Sequence, residues 1–525
     1  MPLLQASQLS YQFENGNYIF SNISCSLQAR LTGLIGRNGS GKSILTELLS
    51  LQRSPTSGSV NLNTQVHCYH QFALNDIAPQ LTIAQYLNVE SILNALNKVK
   101  QGHSENKWFD IIADNWLLED ELSQLLRQLK LPNNPHMLCS HLSGGQLSCL
   151  RLWKLFQSDA GLLILDEPSN HLDSSAKKWL IKQLHLFTGS ILLISHDLLL
   201  LREMEHIWEL NSLGLKAYGG NFDFYCKQKK QQQESVERQL FNIRKQQQQL
   251  QAQHQFNKEK ADKRAIMGKK IRQKGSQPKM LLNAKKDKAT SGTSNRMKQY
   301  QSQNASLQHT LNQLNAHTET TQKQHLYLPT PSSKKGTLLH IDNGILPYGD
   351  KLPIQLILHS NDKIHLQGAN GCGKSTLFQV LLKKAHLKQG YVNINTSLFL
   401  LNQYIELPCQ QQSVLNYVQH HCNKTDETQI RTLLAGIGFR ANTVYRTLKQ
   451  LSGGEKVKLA LLTVNLQIPA PLLLLDEPDN HLDIESKHIL ANMLAAYKGA
   501  FILISHDEDF IKRCGITQSL SLDHT

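Results

Sequence analysis

GRNGSGKS, residues Gly36–Ser43, decides the fold, because the chain repeats it as GANGCGKS at Gly368–Ser375. An apolar run leads into each loop, and an apolar stretch at helical spacing follows, Ile44–Leu51 or Thr376–Leu382. A phosphate-binding loop needs this strand–loop–helix setting. Its glycines let backbone N–H groups face the phosphates, and the next helix adds its positive N-terminal end. Four more motifs follow in the same order in each half. The first half has Gln71, LSGGQ (Leu142–Gln146), LLILDEPSNHLD (Leu162–Asp173) and SHD (Ser195–Asp197). The second has Gln403, LSGGE (Leu451–Glu455), LLLLDEPDNHLD (Leu472–Asp483) and SHD (Ser505–Asp507). Lysine to glutamine is 29 residues in both copies, and strand-end aspartate to histidine is 30 in both. Five ordered motifs at matching intervals mark an internal duplication.

The repeat divides the 525 residues into a cassette at 1–220, a linker at 221–336 and a second cassette at 337–525. The expected fold class is α/β: two P-loop ATP-binding cassettes, each a mainly parallel sheet with helices and a helical subdomain. The runs Leu162–Leu165, Ile191–Ile194, Leu472–Leu475 and Phe501–Ile504 read as strands buried on both faces. They are far too short to span a bilayer. The N-terminus lacks the succession of a secretory signal. Nine scattered cysteines without CxxC pairs fit free thiols in a reducing cytoplasm. The first cassette has about 23 extra residues around Asn88–Trp116, read as a projecting arm or a longer helical subdomain.

Charge is concentrated. The linker carries 23 Lys and Arg against 7 Asp and Glu, which accounts for the whole net charge of +15. Such a block suggests a polyanionic partner, although a solvated tether gives the same composition. Val236, Leu240, Ile243, Gln247 and Leu250 form one heptad seam. Met297, Tyr300, Asn304, Leu307, Leu311 and Leu314 form another. Gly268, Gly275, Pro278 and Gly292 interrupt helical order between them. The pattern predicts an antiparallel helical hairpin with a basic tip. The glutamine run and low aromatic content favour the competing disordered tether.

Each motif implies a task in ATP chemistry. The cradle in the first cassette is Gly36, Arg37, Asn38, Gly39, Ser40, Gly41 and Lys42. Gly368, Ala369, Asn370, Gly371, Cys372, Gly373 and Lys374 form its counterpart. Lys42 and Lys374 reach the β- and γ-phosphates. Ser43, Gln71 and Asp166, with Ser375, Gln403 and Asp476 in the second copy, are the candidate Mg²⁺ ligands. The second hydroxyl after that serine is Thr376 in one copy and is replaced by Ile44 in the other. Glu167 and Glu477 are the candidate general bases for the attacking water. His196 and His506 would contact the γ-phosphate and orient that water. A lone histidine there is more often structural; its recurrence in both copies favours the catalytic role. Ser143, Gly144 and Gly145, with Ser452, Gly453 and Gly454, open helices whose N-termini suit a phosphate. Within one cassette no phosphate remains for them. Each therefore serves the other cassette's nucleotide, Lys42 facing Ser452 and Lys374 facing Ser143. Phe13 and Tyr348 are candidates for stacking on adenine, with a core position the competing reading.

These motifs are the ATP-binding cassette signature, and the arrangement resembles the ABC-F family over essentially the whole chain. The specific marks are NHLD after both DEP triplets and YGGNFDFY (Tyr218–Tyr225) leading into the linker. The resemblance implies a cytoplasmic, ribosome-associated ATPase using ATP and Mg²⁺, a monomer with an internal cassette sandwich. It also implies that the Lys258–Lys288 region reaches the P-site tRNA and rRNA. Family members serve as translation factors or protect ribosomes from antibiotics, and the residues leave that choice open. The chain stops 19 residues after His506, without the C-terminal coiled coil of some members. A DNA-repair ATPase and a transporter subunit are the readings from other classes.

Overall fold

The computed structural model describes residues 3–14, 16–70, 80–170, 172–273, 297–314, 336–349, 352–401, 410–421, 426–451, 453–465, 470–480 and 482–522. Gln71, Gln403, Ser452 and the linker tip beyond residue 273 lie outside them. The chain forms two compact units, one of Met1–Phe222 with Gln324–Thr525 and one of Asp223–Lys323. The first contains both cassettes.

The first cassette runs β1 (Leu4–Gln12), β2 (Tyr18–Leu27), β3 (Leu31–Gly36), α1 (Lys42–Leu49), β4 (Ser57–Leu62) and β5 (Val66–Tyr69). Then come α2 (Ile83–Tyr86), α3 (Glu90–Lys100), α4 (Asn106–Ile112), α5 (Leu118–Gln128) and α6 (Gly144–Phe156). It closes with β6 (Leu162–Asp166), α7 (Ser174–Leu186), β7 (Ser190–Ile194), α8 (Leu198–Arg202), β8 (His206–Asn211) and β9 (Gly214–Gly219). The main sheet has the order β5-β6-β7-β3-β8-β9, parallel except for the last pair. Leu162, Leu163, Ile164 and Leu165 are fully buried, as are Ile191, Leu192 and Leu193. Such burial stabilises by about 1.5–3 kcal/mol per side chain and explains the unbroken apolar runs. A smaller antiparallel sheet, β2-β1-β4, packs with α1 around Leu4, Leu9, Leu45, Leu48 and Leu49.

The linker unit is helical. Helix α9 (Phe222–Gln273) and helix α10 (residues 297–314) run antiparallel. His254 stacks on Tyr300 with centroids 4.1 Å apart, and Gln247 Nε2 donates to Gln308 at 3.5 Å. The seam residues Val236, Leu240, Ile243, Gln247 and Leu250 are half-buried. So are Tyr300, Asn304, Leu307, Leu311 and Leu314, while most intervening positions are exposed. Met297 is the exception, 45% exposed. The hairpin reading therefore holds over the described helices, and the disordered tether does not.

The second cassette repeats the first. It has β10 (Thr337–Ile345), β11 (Ile354–His359), β12 (Lys363–Gln367), α11 (Lys374–Leu381), β13 (Gln389–Ile394) and β14 (Leu398–Leu401). Next are α12 (Val414–His421), α13 (Glu427–Gly436), α14 (Gly453–Asn465), β15 (Leu472–Asp476) and α15 (Ile484–Ala496). It ends with β16 (Phe501–Ile504), α16 (Glu508–Arg513) and β17 (Gln518–Ser521). Its parallel sheet has the order β14-β15-β16-β12-β17. The strand feeding each phosphate loop lies beside the strand that ends at SHD, so the motifs converge at the carboxyl ends of the sheet. The extra residues of the first cassette form the α3–α4 hairpin. Ala95, Leu96 and Ile112 give it a small core of its own, closed by Trp108 and Leu118.

Candidate nucleotide-binding and catalytic sites

Gly41 and Gly373 cap α1 and α11 with φ of 93° and 106°. A side chain there would be strained, so glycine sets the turn that aims each loop at its helix. Lys42 Nζ donates to the carbonyls of Gly36 at 2.7 Å and Arg37 at 3.1 Å. Lys374 does the same with Gly368 at 2.5 Å and Ala369 at 3.0 Å. Both ammonium groups are thus folded over their loops. Burial lowers the Lys42 pKa, against the pull of Glu167, Asp483 and Asp166. Ser43 Oγ donates to Asp166 at 2.9 Å, and Ser375 Oγ to Asp476 at 3.3 Å. Burial raises both aspartates, and the serine bonds oppose it.

Glu167 and Glu477 follow at the strand ends, both with φ of 49°. This left-handed conformation is costly for a residue with a side chain and clusters at functional sites. Each is pinned there by its own N–H, donated at 2.9 Å to Ile194 or Ile504 of the neighbouring strand. His196 Nε2 lies 3.7 Å from Glu167 Oε1, and His506 Nε2 lies 3.8 Å from Glu477 Oε1. Burial and the neighbouring Asp166 push Glu167 up to about 7. Burial, Asp476 and Asp479 push Glu477 up to about 7 as well. Burial and nearby lysines lower His196 to about 3 and His506 to about 4, so both rings are neutral here.

The donor set fits a phosphate–metal ligand. Glu167 Oε1, both ring nitrogens of His196, His506 Nε2 and Ser40 Oγ are buried without a hydrogen-bond partner among the described residues. Buried polar atoms in that state are costly unless a ligand or water satisfies them. A Cβ added at Gly39, Gly371, Gly144 or Gly453 would meet nothing within 4 Å among the described residues.

The cassettes meet head to tail. Arg37 Nη2 pairs with Glu485 at 2.9 Å, and Asn38 N donates to Asp483 Oδ2 at 3.1 Å. On the other side Ser143, Gly145 and Gln146 line a cavity of about 140 Å³ with Ala369 and Asn370. Ser143 opens α6 as a capping box with Gln146. The structure thus brings Ser143 to the second phosphate loop. Phe13 and Tyr348 are 41% and 79% exposed, which removes the core reading for both. A Cβ on Gly349 would sit 2.4 Å from the Cys372 carbonyl, so the loop carrying Tyr348 lies directly on the second phosphate loop.

With this geometry in view, a model of the ABC transporter family matches residues 20–170 and 352–480, more than half of the chain. The chain belongs to the ABC family, in its ABC-F branch. ABC domains bind ATP, typically with Mg²⁺. This ABC-F chain is 28% identical over 549 aligned positions to "Putative ATP-binding protein YdiF" of Bacillus subtilis, covering 98% of the chain and 79% of YdiF. It is 26% identical to "Ribosome protection protein VmlR" of the same organism, covering 97% and 85%. Among solved structures, archaeal ribosome recycling factor aABCE1 matches with a TM-score of 0.55 at 15% identity, covering 98% of this chain and 87% of that one. That likeness shows a shared fold. Among the described residues, no helix is long and apolar enough to cross a membrane.

Sequence reasoning missed Arg37–Glu485, the left-handed glutamates, and Lys177 and Lys487. Each lysine stands four residues after the last aspartate of NHLD, a repeated offset that was visible in the sequence.

Proposed function

We propose that this protein hydrolyses ATP at two composite sites and acts on the ribosome through its basic hairpin. The observation that carries the catalytic half is the convergence, in both cassettes, of a half-buried glutamate and a neutral histidine beside a phosphate loop. Glu167 and Glu477 take a proton from the attacking water. A carboxylate titrating near neutrality has the basicity this step needs. His196 and His506 orient that water and donate to the γ-phosphate. Lys42 and Lys374 hold the phosphates, and the N-termini of α6 and α14 close on them from the opposite cassette. Ser43 and Asp166 with Gln71, and Ser375 and Asp476 with Gln403, would hold Mg²⁺, whose chemistry there is neutralisation of phosphate charge. Phe13 and Tyr348 stack on adenine.

The ribosomal half rests on the charge of the linker and on VmlR, whose name is that of a ribosome protection protein. Lys and Arg contacts to rRNA and P-site tRNA release counterions and are salt-sensitive. The test is the E167Q,E477Q double variant. It binds ATP, turns over about 10²–10⁴-fold more slowly, and co-sediments with ribosomes. Near-normal turnover excludes these bases, and failure to co-sediment excludes the ribosome. Replacing Lys269, Lys270, Arg272, Lys274, Lys279, Lys285 and Lys286 with Gln leaves basal ATP hydrolysis intact and flattens the salt dependence of ribosome binding. An unchanged salt slope removes the RNA-contact role. A second reading, protection of ribosomes from an antibiotic, is favoured by the same relative. Raised drug resistance in a susceptible host expressing this chain distinguishes it from a general translation factor.

A further inference from the structure

Lys177 is buried and the Lys487 side chain is only 13% exposed, and the catalytic roles above leave both unused. Lys177 Nζ pairs with Asp197 Oδ2 of its own cassette at 2.7 Å. Lys487 Nζ pairs with Asp507 Oδ2 of its own cassette at 2.8 Å. Each aspartate is itself fixed, because its other oxygen caps a helix, accepting from Leu199 N at 2.9 Å or Phe510 N at 3.0 Å. The ammonium groups are therefore held rigidly where α7 and α15 begin. An ammonium has more than one proton to donate. The next acceptor lies across the interface in each case. Lys177 reaches the backbone carbonyl of His506 at 3.3 Å, and Lys487 reaches that of His196 at 3.2 Å. Those are the two histidines whose rings face Glu477 and Glu167.

The contacts are reciprocal and occur at matched positions in the duplicated sequence. The lysine–aspartate pair is complete within one cassette, whether or not the other is present. The bond to the histidine carbonyl exists only when the cassettes meet. Burial alone would lower the Lys487 ammonium, and Asp507 and Asp479 more than offset it, so the charge persists in the closed interface.

We propose that Lys177 and Lys487 are crossed positioning residues. Each reports the arrival of its own cassette to the opposite active site by fixing the backbone of that site's histidine. Lys177 serves the site of Lys374, Glu477 and His506. Lys487 serves the site of Lys42, Glu167 and His196. Hydrolysis at either site is thereby tied to closure rather than to nucleotide binding alone. This inference rests on the composite-site reading above.

The test isolates one site at a time and reads kcat for ATP. In an E167Q chain only the Glu477 site turns over. There K177M lowers kcat about tenfold, the scale of one charge-assisted hydrogen bond, and K487M changes it under about threefold. In an E477Q chain the pattern reverses. KM stays near its starting value in both, and K177R or K487R restores most of the rate. Because K177M strands the buried Asp197, the K177M,D197N pair is measured as well. Asparagine keeps the helix cap and removes the orphan charge. If a single Gln substitution silences both sites, the crossing is read in the otherwise native chain. K177M,H506A is then no slower than H506A, whereas K177M,H196A is slower than either parent. A lysine that only stabilises its own cassette gives the opposite crossing or equal losses, and either result overturns the proposal. If E167Q and E477Q themselves leave turnover unchanged, the general-base roles proposed above fail instead, and the H506A and H196A pairs in the otherwise native chain still decide the crossing.

Discussion

The two cassettes hold the same glutamate in different ways. In the second, Asn480 Nδ2 donates to Glu477 Oε2 at 2.5 Å. In the first, Asn170 Nδ2 is buried without a partner among the described residues, and so is Glu167 Oε1. The phosphate loops differ in the same sense. Arg37 ties the first loop to Glu485 of the opposite cassette. At the matching places the second loop has Ala369 and the first cassette has Ser175, beside a cavity of about 540 Å³. Thr376 follows the second loop's serine where Ile44 follows the first's. One duplicated sequence has thus become two sites. The Lys42 site is braced across the interface and loose at its base. At the Lys374 site the glutamate is fixed at its base by Asn480, and Ala369 has no side chain to form the ion pair that Arg37 makes. Duplication supplied the motifs, and single side chains at their margins supplied the difference.

The largest effect separates composite sites from independent cassettes. S143R puts a bulky cation at the helix terminus facing the second phosphate loop. It is expected to reduce turnover at the Lys374 site by on the order of a hundredfold, the cost of losing a preorganised donor to developing charge. K374A,S143R is then little slower than K374A, because both changes strike one site. K42A,S143R loses both sites. Equal additivity in the two pairs breaks the head-to-tail arrangement.

A middle-sized effect probes the glutamates. N480A removes a hydrogen bond to a charged group, a loss of about 1.5–3 kcal/mol. In an E167Q chain it lowers kcat about tenfold or more. N170A in an E477Q chain has a smaller effect, since Asn170 makes no such bond to Glu167. Equal losses would show that the two glutamates are held alike when the sites are loaded.

The smallest effect concerns the brace. Arg37 and Glu485 are each nearly half exposed, 45% and 44%, so water and salt screen the pair. Such pairs contribute about 0–1 kcal/mol. R37A therefore speeds nucleotide release from the Lys42 site by no more than about fivefold, and 1 M salt abolishes the difference. Faster release from the Lys374 site instead would place the brace on the wrong side.

The sequence by itself determined the duplication, the parallel sheets and the linker helices. Buried parallel strands must be apolar on both faces, and heptad seams must recur at steps of three and four, so both leave periodic traces. It also determined which residue types reach the phosphate loops, because the loop, the strand-end aspartate and the following histidine lie on adjacent strands of one sheet. Only the tertiary structure decided the rest. Phe13 and Tyr348 are equally aromatic in a core or on a surface, and their exposure depends on what the fold leaves uncovered. The left-handed backbone at Glu167 and Glu477 has no glycine to announce it, since the hydrogen bond to the next strand enforces it. The residues of α3 and α4 fit an arm or an extended subdomain until packing gives them their own core. The crossed reach of Lys177 and Lys487 joins positions 329 and 291 residues apart. No local pattern encodes such a contact, because it exists only where two folded surfaces meet.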